Sequence, residues 1–134
     1  MFRIPPKLTV TGLIALTLTA TFSAPLAAQM TIPKSAPASG DKVFAQQCAA
    51  CHSVKPGETR VGPSLASVVG RKAGSVAGYA YSPALKASGK TWNAASLDAW
   101  LTSSTKAVPG TKMTYAQADA GKRKAIIDYL QTVK

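Results

Sequence analysis

Both cysteines of the chain and its single histidine fall within five consecutive residues, CAACH, with Cys48 and Cys51 followed directly by His52. That spacing admits four chemistries: a redox dithiol, a zinc site, a disulfide and covalent haem attachment. Structural zinc takes four protein ligands, so an Asp or a second chain would have to complete a site built on these Cys and His donors. A thioredoxin-like dithiol belongs in a βαβ setting, and no β-rich run precedes CAACH. A disulfide between cysteines this close in sequence closes too small a loop to stabilise much. Haem attachment uses every residue of the motif. On a helical segment Cys48 and Cys51, at i and i+3, face one side, where both thiols can add to the two vinyl groups along one porphyrin edge. His52 lies four residues from Cys48, where its imidazole can reach the iron. The motif points to one covalently bound haem c per chain.

An iron held by His52 has one axial position left. An empty or labile position favours oxygen, peroxide or gas chemistry, whereas a retained sixth ligand favours electron transfer. Of the three methionines, Met1 initiates and Met30 sits in a Pro-, Ala- and Ser-rich stretch, which leaves Met113. Its setting, VPGTKMTY, carries a Pro109-Gly110 turn suited to a compact bent loop. A lone methionine usually fills core space. In a chain committed to haem, the thioether becomes the candidate second axial ligand, and His/Met ligation raises the reduction potential.

The elements that must position these groups follow from length and patterning. The chain has 134 residues, enough for one domain with a modest core. Arg3 and Lys7 open a charge-free run that lasts until Lys34, with its apolar centre at residues 12–20, the pattern of a secretion signal. Threonines, Ser23 and Pro25 interrupt residues 8–28, so a cleaved signal fits better than the span of about 20 apolar residues that crosses a bilayer. The small residues in APLAAQ set the expected cleavage near Ala28. Residues 1–28 are thus read as signal peptide, 29–39 as an extended tether and 40–134 as the folded domain. If cleaved, the protein has no stable membrane insertion; if uncleaved, it stays membrane-anchored. Net charge is +11, which attracts acidic partners. Export and the lack of basic residues interleaved with aromatics argue against nucleic acid.

Several stretches in order, GDKVFAQQCAACHSV, VGPSLASVVGRKAG, GYAYSPALKASGKTWN, VPGTKM and the helix ending IIDYL, resemble class I cytochrome c of the mitochondrial and cytochrome c2 type. The resemblance runs from Gly40 to Val133. It implies an all-α fold wrapped around haem c, with Gly40 and Phe44 of the first helix packing on the last helix near Ile126, Tyr129 and Leu130. The pattern Ile126, Leu130, Val133 independently reads as an amphipathic stripe. By the resemblance, the Pro63 carbonyl accepts the second imidazole N–H of His52, and Arg71, Tyr81 and Trp92 contact the haem propionates. Trp100 stands where the family commonly has a tyrosine beside the methionine ligand, and Leu85 where a polar residue is common. Ser104 and Thr105 replace the usual proline and lysine before the ligand loop.

These readings lead to a periplasmic, monomeric electron carrier rather than an enzyme. Lys42, Lys106 and Lys112 match family positions around the exposed haem edge. They imply transient docking on acidic redox proteins: a quinol:cytochrome c oxidoreductase, a cytochrome c oxidase or a photosynthetic reaction centre. The alternatives are a dedicated electron-transfer subunit of a periplasmic dehydrogenase, a haem peroxidase or gas sensor with Met113 off the iron, and a basic module using CAACH as a zinc clip.

Overall fold

A computed structural model describes residues 39–134. The expected signal at 1–28, Met30 and all of the tether but Ser39 lie outside the described residues. Within them run α1 (Gly40–Gln47), α2 (Pro83–Ala87), α3 (Ala94–Thr102), α4 (Ser104–Ala107) and α5 (Ala120–Thr132). The extended pairing among the described residues is an isolated antiparallel bridge between Lys72 and Thr91. No helix there is long and apolar enough to cross a membrane.

Short helices need defined ends, because the first N–H groups of a helix have no partner inside it. Ser82 accepts the Leu85 amide in front of α2, with Pro83 at the first helical position, where its missing N–H costs nothing. Asn93 and Ser96 satisfy each other's backbone amides across the start of α3. Asp119 accepts from the Lys122 amide at the start of α5.

The frame is the crossing of α1 and α5, with α3 packed on α5 and on α4. Val43 and Phe44 point from α1 into the core and meet Ile126, Ile127 and Leu130 of α5. The Phe44 and Tyr129 rings sit 5.4 Å apart in a tilted pair. Gly40 permits the close crossing: a Cβ there would strike the Ala125 carbonyl and the Tyr129 Cβ. Burial of each such apolar side chain is worth about 1.5–3 kcal/mol, so this crossing dominates the stability of the frame. The expected stripe is shifted at its end. α5 stops at Thr132, Val133 is its half-buried C-cap, and Ile127 is buried beside Ile126, so the apolar face is wider than the stripe.

Candidate functional site

The site grows from two irregular segments that the helical frame brings together. The first leaves the end of α1. The regular helix stops at Gln47, yet its turns persist: the Cys51 and His52 amides both donate to the Cys48 carbonyl, at 3.1 and 2.9 Å. Backbone bonds then fold the following loop back on the motif, Gly62 N–H to the Cys51 carbonyl and Leu65 N–H to the Ser53 carbonyl, each at 2.8 Å. Arg60 ties the same loop to the Ala49 carbonyl and to Glu58.

This fold-back seats the histidine. The Nδ1 of His52 lies 2.8 Å from the Pro63 carbonyl, which accepts its proton and leaves Nε2 as the lone-pair nitrogen. Gly62 lies directly against the imidazole, where a Cβ would run into the ring. Burial lowers the His52 pKa below the usual histidine range, opposed by the bond to Pro63, so the neutral imidazole that ligates metals is favoured. Cys48 is buried and Cys51 exposed. Burial, with a smaller contribution from neighbouring Cys51, pushes the Cys48 thiol up to about 11.

The second segment runs from α4 into the approach to α5. Val108 to Thr111 form a turn closed by a 3.1 Å backbone bond, with Gly110 at φ +85°, a conformation that glycine adopts without strain. Met113 follows, half-buried against the core. Lys112 reaches across to donate to the Ala80 carbonyl at 3.1 Å. Ser104, with no exposed surface, donates through Oγ to the Met113 carbonyl at 2.7 Å and accepts the Tyr115 amide at 2.9 Å.

Cys48, Cys51, His52 and Met113 all line one cavity of about 540 Å³, within the 300–1,000 Å³ common for cofactor sites. Its walls include Leu65, Val68, Leu85, Trp92 and Trp100, and Trp92 meets Trp100 edge-on at 5.2 Å. Pro63, Arg71 and Tyr81 line it as well. Both terminal nitrogens of Arg71 donate to backbone carbonyls, those of Ala66 and Ser64, at 2.9 and 2.8 Å. That fixes the guanidinium at the cavity rim. Lys42, Lys106 and Lys112 are exposed. Among the described residues no group of three or more His, Cys, Asp or Glu side chains converges on a metal-sized point.

The donor set and the walls fit haem c: two cysteines for thioethers, a neutral imidazole braced by a glycine and a carbonyl, a thioether sulfur, and an apolar cavity of suitable size. The family model for cytochrome c matches residues 37–134. The chain belongs to the cytochrome c family. Similar proteins include cytochrome c of Tetrahymena pyriformis, 42% identical over 78% of this chain and 95% of that one. Cytochrome c2 of Rhodoblastus acidophilus is 52% identical over 59% of this chain and 74% of its own. Among solved structures, cytochrome cH from Methylobacterium extorquens superposes with a TM-score of 0.65 at 49% identity, covering 69% of this chain and 94% of that one. The fold is therefore the all-α class I arrangement, the cofactor is covalently attached haem c, and the cytochrome is a single-haem electron carrier rather than an enzyme.

Three groups of site residues were not singled out from sequence. Gly62 stands in VGPSL beside Pro63, and only the fold-back reveals that its missing side chain makes room for the imidazole. Tyr115 donates to Gln47 Oε1 at 2.6 Å, and the Gln117 side chain donates to the same oxygen at 2.8 Å, linking the methionine segment to α1. Ser104 departs from the family pattern in sequence, but nothing in the sequence ties it to Met113. A polar residue two positions past a ligand methionine is a faint signal for Tyr115; no local signal exists for the others.

Proposed function

We propose that this protein is a periplasmic cytochrome c in which Cys48 and Cys51 carry the thioether bonds and His52 and Met113 are the two axial iron ligands. The observation that carries the reading is that Met113 and CAACH, far apart in sequence, line the same cavity. When bound, haem c supplies one-electron Fe(III)/Fe(II) chemistry. The residues of this chain do the rest. The Pro63 carbonyl holds the tautomer and plane of His52 and makes the imidazole a better donor. Trp92, Trp100 and Leu85 keep water from the cavity, while Arg71, Tyr81 and Trp92 supply polar groups for the propionates. Retention of both axial ligands is what makes the site a carrier, since it leaves no position for a substrate.

Export follows the expected signal, with cleavage near Ala28, and places the mature cytochrome in the periplasm. Lys42, Lys106 and Lys112 and the high net charge support transient docking on acidic patches of a quinol:cytochrome c oxidoreductase, an oxidase or a photosynthetic reaction centre. The intact mass of the exported protein tests the reading. One haem added to residues 29–134 is expected, and a haem-free or uncleaved mass contradicts the corresponding part.

A further inference from the structure

The methionine segment has little regular structure of its own. Residues 113–119 form no helix, and the Met113 amide has only a long 3.4 Å approach to Thr111 Oγ1. Tyr115 and Gln117 tie its later part to Gln47 and to the Leu101 carbonyl, but the short backbone attachments next to Met113 converge on one residue. Besides the two Oγ bonds described above, the Ser104 amide donates to the Tyr115 carbonyl at 3.0 Å. The Ser104 side chain therefore serves the carbonyl of Met113 and the amide of Tyr115, and neither group has another hydrogen-bond partner among the described residues. A proline at this place would offer neither an N–H nor a hydroxyl.

We propose that Ser104 is a positioning residue for the axial methionine: its buried hydroxyl clamps the backbone on both sides of Thr114 and so holds the Met113 thioether on the iron. This rests on the reading of Met113 as ligand. Neither neighbour can make up the loss within the protein. With alanine at 104, the Met113 carbonyl and the Tyr115 amide are left unmatched in the closed state, but both can reach water when the segment swings out. The penalty thus falls selectively on the closed state, and the equilibrium shifts toward an open coordination position. The buried hydroxyl is more than a polar group that happens to be satisfied, since the groups it satisfies flank the ligand itself.

The test is titration of the ferric holoprotein with imidazole, following the long-wavelength sulfur-to-iron absorption band, in wild type, Ser104→Ala, Ser104→Thr and Met113→Ala. Ser104→Ala is expected to bind imidazole about tenfold more tightly than wild type. Ser104→Thr, which keeps the hydroxyl, should stay within about twofold. Unchanged imidazole affinity in Ser104→Ala with the sulfur band intact overturns the proposal, even if thermal stability falls. Hydrogen exchange on wild-type holoprotein decides independently should Ser104→Ala fail to accumulate. The Tyr115 amide must exchange more slowly than that of Thr114, and equal rates overturn the clamp. If Met113→Ala titrates like wild type, the ligand assignment fails and the proposal with it. If Met113→Ala binds tightly while Ser104→Ala matches wild type, only the role of Ser104 is refuted.

Discussion

The two segments that supply the candidate iron ligands are held in different ways. The CAACH segment grows out of α1, is folded back by backbone hydrogen bonds to Cys51 and Ser53, and carries the covalent attachment. The Met113 segment forms no helix of its own; backbone bonds reach it at the Tyr115 carbonyl and the Gln117 amide, but around Met113 itself it depends on side chains: Ser104, the link from Tyr115 to Gln47, and Lys112 on the Ala80 carbonyl. Backbone bonds are largely indifferent to which side chains are present; side-chain ties vanish with one substitution. The histidine side should therefore behave as fixed, and the methionine side as the place where ligand strength and access are set.

The comparison breaks most severely if the histidine side proves soft. Gly62→Ala puts a methyl into the imidazole and should lower the unfolding free energy of the holoprotein by about 3 kcal/mol or more, measured by denaturant titration. A near-neutral result would mean that His52 has room to move. Met113→Ala should keep its covalent haem, lose the sulfur-to-iron band and bind imidazole more tightly by on the order of 100-fold. Gly40→Ala separates frame from site. The added Cβ meets the Ala125 carbonyl, so stability should drop by about 2 kcal/mol while the sulfur-to-iron band of the folded protein is unchanged. Tyr115→Phe removes the bond to Gln47 and should cost about 1 kcal/mol, with faster amide exchange confined to the methionine segment. The smallest effect concerns docking. Lys106→Glu should slow electron transfer to an acidic redox partner a few-fold at low ionic strength, a difference that added salt removes.

What was legible in the sequence divides along the same line. CAACH is a local signal, since covalent attachment and histidine ligation need fixed spacing within one turn of chain. The α1/α5 crossing was implied by the resemblance to class I cytochrome c, while helical spacing alone marked Ile126 and Leu130 as one apolar stripe. Val133 misled because the stripe continues one step past the last helical residue, and Ile127 was missed because it lies beside the stripe, at a position that i, i+4 spacing does not mark. Gly62 and Ser104 could not be read. Their importance arises from chain folding back over distance: Gly62 against His52, Ser104 against Met113 and Tyr115. Spacing along one element records neither contact.

The account stands on the claim that His52 and Met113 close the iron on both sides. The most direct measurement is the absorption spectrum of the oxidised, exported protein beside that of Met113→Ala. The account predicts a sulfur-to-iron band in the wild type that is abolished in the variant, with the haem still covalently bound in both. A wild-type spectrum without that band, unchanged by the substitution, would contradict it.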